Sequence, residues 1–321
     1  MRAIAGTDEL SVITLPDPEP APTEVVIDVV AAGVNRADLL QRAGNYPPPP
    51  GAVDTLGLEV SGRISAVGSH VSNWSIGEEV CALLAGGGYA EKVAVPAVQV
   101  LPKPLGVDLT SAAALPEVAC TVASNLFDTA HLANGEMLLV HGGSSGIGTH
   151  ATQVAHALGM RVAVTARTAD KLARCQDLGA DILINYSTDD FVEVVRDSGG
   201  ADVILDIMGA AYLERNVKAL RTGGRLVIIG MQGGIKGELP IGTLLSKRAT
   251  VHGTMLRSRP VEGIGSKAEV VATTRRITWP LIDDGTVRPI IESTFPLADV
   301  EAAHAHLDSG DAIGKVLLTM E

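Results

Sequence analysis

Cysteine is scarce in this chain: there are three in 321 residues, Cys81, Cys120 and Cys175, far apart and in no C-x-x-C pair. Such spacing excludes a disulfide framework and a zinc knuckle, fits a reducing compartment, and leaves the thiols to act as small buried apolar groups. Long apolar runs are missing as well. No uninterrupted stretch approaches the ~20 residues that cross a bilayer, and the N-terminal MRAIAGTDELSV lacks the apolar core of a signal peptide. A cytoplasmic protein with no membrane partner is therefore expected. Basic clusters are absent too: 25 Lys and Arg stand against 37 Asp and Glu, for a formal net charge of −12. That balance repels nucleic acid, and no polyanion partner is expected.

A hydrophobic content of 46% over 321 residues is enough for a large core and for two domains. Residues 1–118 read as short β-rich segments (EVVIDVVAAGV, EVSGRISAVGS, EEVCALL, YAEKVAVP) broken by turn clusters such as LPDPEPAPTE and NYPPPPGAV. A strand-dominated, barrel-like domain follows from that texture. Over 119–257 the pattern becomes strand then helix, repeated: MLLVHGG, a helix stopped at Gly159, RVAVTA, DKLARCQDL stopped at Gly179, DILINY, DDFVEVVRD, ADVILDI, YLERNVKAL, RLVIIG. Alternation of this kind builds an α/β fold, a doubly wound parallel sheet with helices on both faces. Residues 258–321 hold a helix (KAEVVATTRRITWPLIDDG), a strand (IIESTFP), a second helix (ADVEAAHAHLDSG) and a final strand (GKVLLTME). The expected arrangement is a nucleotide-binding domain inserted between two parts of the first domain.

The segment HGGSSGIG, residues 141–148, joins the apolar run MLLV to the start of a helix. Laid on the dinucleotide fingerprint G-x-G-x-x-G, Gly143 and Gly148 take the outer positions, and Ser145 stands where the middle glycine belongs. Gly143 is expected to permit the tight turn and Gly148 the close packing of helix on strand. Ser145 and Gly146 leave the backbone approachable, with a hydroxyl for phosphate oxygen. An NAD enzyme places Asp or Glu at the tip of the second strand to bind the ribose hydroxyls. Here RVAVTA ends in Ala166 and is followed by Arg167, Thr168 and, one helical turn on, Lys171. Cations there suit a 2′-phosphate and favour NADP over NAD, and they run against the dipole of a helix start.

Together, VNRADLLQRAGNYPPPPGAVDTLGLEVSG, GGGYAEKVAVP, ALPEVACTVASNLF, HGGSSGIGTHATQVAHALG, LGADILINY and GTMLRSR resemble the zinc-independent quinone oxidoreductases of the medium-chain dehydrogenase/reductase superfamily. The subgroup of the tumour-suppressor-inducible quinone oxidoreductase is nearest, and the resemblance covers essentially the whole chain. It implies a Rossmann domain inserted in a GroES-like, partly open barrel, with NADPH as cofactor. It also implies roles for particular residues. Asn35 and Tyr46 border the nicotinamide and the substrate cleft, and Thr121 lies beside the nicotinamide ring. Gly146 and Ile147 line the pyrophosphate, while Arg167, Lys171 and Tyr186 surround the adenosine phosphate. Met231, Gln232, Met255 and Leu256 approach the nicotinamide through backbone groups, and Gly314 and Lys315 close the cleft. The chain departs from the family around PEVAC, where it has small residues in place of a frequent aromatic.

A catalytic zinc needs three Cys, His or acidic ligands around an open position. Neither Cys nor His occurs in residues 1–69, and Asn35, Arg36 and Leu58 stand in the segments where zinc-dependent relatives carry ligands. Asp38 and Glu59 remain as carboxylates, read as structural hydrogen-bond partners. Without a metal to hold an alkoxide, simple alcohol oxidation is disfavoured. A quinone or another α,β-unsaturated carbonyl spreads the hydride's charge by conjugation, and Asn35 or the Tyr46 hydroxyl can orient it, with Tyr46 or water giving the proton. Tyr46 serves equally well as packing for the NYPPPP loop, and Asn35 as a strand-end cap. The reading is an NADPH-dependent quinone or enone reductase. A 2-enoyl thioester reductase and a crystallin-like cofactor-binding protein with little turnover stand as alternatives. The strand ATVHGTML, if exposed, invites pairing with its copy in a homodimer.

Overall fold

Runs of β-branched residues bounded by glycine and proline turns become fifteen strands within residues 1–320, which are the residues described by this computed structural model. In chain order they are β1 (Arg2–Ala5), β2 (Ser11–Thr14), β3 (Glu24–Val34), β4 (Glu59–Val67), β5 (Glu79–Leu83), β6 (Lys92–Pro96), β7 (Val100–Pro102), β8 (Met137–His141), β9 (Arg161–Ala166), β10 (Ile182–Asn185), β11 (Ala201–Asp206), β12 (Leu220–Ile228), β13 (Thr250–Gly253), β14 (Ile291–Pro296) and β15 (Lys315–Thr319). The chain divides into two units. One runs from Met1 to Cys120 and resumes at Leu256, and the other is Thr121–Met255.

The first unit is a seven-stranded sheet in the order β14-β15-β3-β4-β5-β7, with β6 also paired to β3, plus the hairpin β1–β2. Strand β3 serves two neighbours along one edge: Glu24–Asp28 pair with β6 and Ala31–Val34 with β15. Register shifts against β4 at Val26/Ile27 and Val29/Ala31 let β3 bend between the two, which curls the sheet into a partly open barrel. Its core is formed by Val25, Ile27, Val60, Ile64, Val80, Tyr89 and their neighbours. The helix Arg36–Arg42, capped at Asn35 and not foreseen from the sequence, carries Asp38 into this interior. The segment expected as one C-terminal helix is two, Lys267–Ile277 and Trp279–Asp283, because Pro280 cannot donate a helical hydrogen bond and instead sits in the first turn of a new helix.

The second unit is a six-stranded sheet, all parallel, in the order β10-β9-β8-β11-β12-β13. Strands β8 and β11 are buried along their whole length, as strands covered on both faces must be. The strand order reverses between β8 and β11, and in such sheets ligands bind beyond the carboxyl ends of the strands at that reversal. Helix Ile241–Lys247, also unforeseen, has no buried residue. Among the described residues no helix is long and apolar enough to cross a membrane.

Candidate active site

In the parallel-sheet unit, most of the expected cofactor residues follow the carboxyl end of a strand: Gly143, Ser145, Gly146 and Ile147 after β8, Arg167, Thr168 and Lys171 after β9, Tyr186 after β10, Met231 and Gln232 after β12, and Met255 after β13. Thr121 lies in the helix Pro116–Val122, buried, its carbonyl accepting from Asn125 Nδ2 at 2.8 Å.

The tight turn of the phosphate loop falls at Gly142 (φ 72°), not at Gly143 as the fingerprint suggested. Gly143 is required for a different reason, since a Cβ there would lie 2.6 Å from Cβ of Val164 on β9. At Gly148 a Cβ would lie 2.3 Å from the Gly142 carbonyl oxygen and 2.6 Å from that of Gly143, so helix Gly146–Ala157 can meet the loop only through glycine. Ser145 is the helix cap: its Oγ accepts from Gly148 N at 3.0 Å, and its proton is left to give. The N–H groups of Gly146 and Ile147 donate to nothing among the described residues, which leaves two donors and the positive helix end for an anion. The loop is tied to β9 by Gly142 N and Gly143 N, which donate to Thr165 Oγ1 (3.2 Å) and O (2.9 Å).

Two residues of this neighbourhood escaped the sequence reading. His141 bridges Thr165 Oγ1 (3.1 Å) and Asn216 Oδ1 (2.7 Å), and burial pushes its pKa down to about 4. Asp206, at the end of β11, accepts from Met208 N (2.8 Å) and Gly209 N (2.9 Å), while burial pushes it up to about 6. Only their place next to β-strand ends could have marked them.

Beyond β9, Arg167 is exposed and makes no ion pair among the described residues. Thr168 Oγ1 caps the helix Ala169–Asp177 by accepting from Lys171 N at 3.3 Å. Tyr186, 43% exposed, is hooked to the end of β9 by its N–H on the Ala166 carbonyl (3.2 Å). The strand tip where a ribose-binding carboxylate would stand is Ala166.

The other unit holds Asn35, Tyr46, Leu256, Gly314 and Lys315. Gly314 (φ 90°), whose Cβ would fall 2.2 Å from the Ile290 carbonyl oxygen, delivers Lys315 into the interior. There the Lys315 ammonium donates to Val34 O (3.2 Å), Asn35 Oδ1 (2.5 Å) and Glu59 Oε1 (2.6 Å). Asn35 Nδ2 donates to Glu59 Oε1 (3.0 Å) and Gly33 O (3.4 Å). Glu59 Oε2 takes the N–H of Glu117 at 2.8 Å. Asp38 accepts from the N–H groups of Asn35 (2.8 Å) and Gly57 (3.0 Å), and burial pushes it up to about 6. Asn35 is buried with its amide committed on both sides, Oδ1 to Lys315 and Nδ2 to Glu59 and Gly33. Lys315 spends all three ammonium protons inside the unit and is the counter-charge of the buried Glu59.

Tyr46 differs from both. Its ring is half-buried, its hydroxyl has no hydrogen-bond partner among the described residues, and burial pushes the phenol up to about 12. Of the two side chains expected to orient a substrate, Asn35 and Tyr46, only Tyr46 keeps an uncommitted donor among the described residues.

A barrel-like unit interrupted by a parallel sheet with a phosphate loop at its strand reversal defines an oxidoreductase of the dehydrogenase/reductase class. Two family models match the chain: an alcohol dehydrogenase GroES-like domain over residues 21–105 and a zinc-binding dehydrogenase domain over 146–270. The quinone oxidoreductase of Rattus norvegicus is 31% identical over 310 residues, 94% of this chain and 91% of that protein. Among solved structures, the quinone oxidoreductase from Thermus thermophilus, determined alone and with NADPH, shares 33% identity over the full length of both chains with a TM-score of 0.83. That of Escherichia coli, complexed with NADPH, shares 27% identity and a TM-score of 0.86, covering 99% of this chain and all of the other. The chain belongs to the quinone oxidoreductase-like family of the medium-chain dehydrogenase/reductase superfamily.

Proposed function

We propose that this protein is an NADPH-dependent reductase of quinones and other α,β-unsaturated carbonyls that works without zinc. The observation that carries the cofactor is the pair of undonated N–H groups at Gly146 and Ile147, with Arg167 unpaired at a strand tip that has no carboxylate. The pyrophosphate would be held by the loop and the 2′-phosphate by Arg167, Lys171 and Tyr186, with Thr168 fixing the turn between them. NADPH bound there supplies a hydride.

The donor set of the barrel unit does not fit a zinc ion. Among the described residues no three His, Cys, Asp or Glu side chains gather as metal ligands, and the cation beside Glu59 is Lys315. An acceptor reduced here must carry its own electron sink, which a conjugated carbonyl does. Tyr46 orients the acceptor oxygen and gives it a proton, while Asn35, fixed by Lys315 and Glu59, caps the helix Arg36–Arg42 next to it in the chain. NADPH oxidation against small quinones, enones and 2-enoyl thioesters tests this reading. Turnover with the first two supports it. Turnover with thioesters alone assigns a thioester reductase instead, and tight NADPH binding with no turnover assigns a cofactor-binding protein.

The assembly proposed is a homodimer. Strand β13 is an edge of the parallel sheet, and Ile241 and Leu245 of the helix before it are 55% and 71% exposed. Light scattering at micromolar concentration should give twice the chain mass, and a monomer overturns the proposal. The three unpaired, buried thiols support a cytoplasmic location.

A further inference from the structure

Arg257 is the second residue of the resumed segment of the barrel unit and is 4% exposed. Three of its five N–H groups are placed: Nε donates to Ala85 O (2.8 Å), Nη1 to Tyr46 O (3.1 Å) and Nη2 to Gln41 Oε1 (2.8 Å). All three acceptors are neutral, and the guanidinium forms no ion pair among the described residues. Asp38, whose charge reaches it, is occupied by the N–H groups of Asn35 and Gly57. A buried cation served only by neutral acceptors is unusual, because the free energy of removing it from water is ordinarily offset by an opposite charge. The guanidinium carbon lies 5.3 Å from the centroid of the Tyr46 ring, within the reach of cation–π attraction. Through Gln41, whose Nε2 donates to Asp54 O at 2.8 Å, the same residue braces both ends of the NYPPPP turn.

We propose that Arg257 is the positioning residue of Tyr46 and the counter-charge for the phenolate that Tyr46 becomes when it gives up its proton. The inference rests on Tyr46 as proton donor. As hydride adds to the acceptor carbon, a carbonyl electron pair moves onto the acceptor oxygen. The Tyr46 O–H bond breaks, its proton joins that oxygen, and the phenolate left behind is reprotonated by water. The charged groups that act on the phenol are Glu117, Asp38 and Arg257. The two carboxylates oppose a phenolate, and Arg257 alone favours it. Burial weakens screening by water, so the single cation is felt strongly.

A double-mutant cycle tests this. Arg257→Met should lower kcat about tenfold or more while leaving KM for NADPH unchanged, and Arg257→Lys should restore part of the loss. In a Tyr46→Phe background the same Arg257→Met change should cause no further loss. With 3,5-difluorotyrosine at position 46, fluorine NMR titration should show a higher phenol pKa in Arg257→Met than in the parent, a readout that requires no turnover; Arg257→Gln, which keeps an amide donor, replaces Met should that variant not fold. Equal losses in both backgrounds, or an unmoved phenol pKa, overturn the proposal. Full turnover by Tyr46→Phe alone overturns the assignment of Tyr46 itself, and the proposal with it.

Discussion

Replacing Lys315 by methionine keeps the length of the side chain and removes one charge from a place that water does not reach. Lys315 and Glu59 are 5% and 0% exposed, and their 2.6 Å contact is one of three that the ammonium makes. Without it, Glu59 is left as a buried carboxylate with no ion-pair partner among the described residues, and Asp38 loses a nearby cation. Breaking a buried pair from one side costs about 3–5 kcal/mol, well above the ~1 kcal/mol of an exposed pair. Both tryptophans, Trp74 and Trp279, lie in this unit, so their fluorescence during urea unfolding reports its stability directly. Lys315→Met should lose about 3–5 kcal/mol near neutral pH and less at acid pH, where a carboxylate can take up a proton. Adding Glu59→Gln should recover part of the loss. A single variant within about 1 kcal/mol of the parent would refute the reasoning.

Arg167→Ala should weaken NADPH binding by about 1.5–3 kcal/mol and leave NADH binding unchanged, as measured by fluorescence titration; equal losses for the two cofactors would contradict the phosphate assignment. Gly148→Ala should fold but bind NADPH at least about tenfold more weakly, because its Cβ would have to displace two loop carbonyls; unchanged affinity by the same titration would contradict it. Burial holds His141, His150 and His304 at about 4, below the usual imidazole value, so each contributes stability that is present above pH 6.5 and lost as pH falls toward 4. Asp38 and Asp206, raised to about 6, act oppositely, contributing stability below pH 3.8 that is lost as pH rises through 6. Three groups against two leave a net loss on acidification of about 1.4 kcal/mol per pH unit near pH 5, and His150→Leu should flatten that slope in urea titrations at pH 6.5 and 4.5.

The parallel-sheet unit was legible because its signals are local: an apolar strand, a glycine turn and a capped helix recur in register with the chain. The same locality exposed Arg167 and the missing carboxylate after Ala166. Even there, Gly142 makes the turn, and Gly143 is needed because Val164 approaches from a neighbouring strand, which spacing along HGGSSGIG does not record. In the barrel unit the informative contacts are remote in sequence. Asn35 meets Lys315 across 280 residues and Tyr46 meets Arg257 across 211. The hydrogen bonds that tie Asn35 to Lys315 therefore left no trace in either local stretch, and Arg257 was visible only as one letter of GTMLRSR, with nothing there to link it to Tyr46. Pro280 was visible, yet the helical periodicity around it outweighed the break it imposes.

The most direct test of the account compares kcat/KM for NADPH-driven reduction of 1,4-benzoquinone with that for cyclohexane-1,4-dione, its saturated counterpart, after exhaustive chelation. The account predicts undiminished quinone reduction and a ketone rate lower by orders of magnitude, since the proposed zinc-independent chemistry relies on conjugation in the acceptor to spread the hydride's charge. Comparable rates for the two acceptors, or loss of quinone reduction on chelation with recovery on adding zinc, would contradict it.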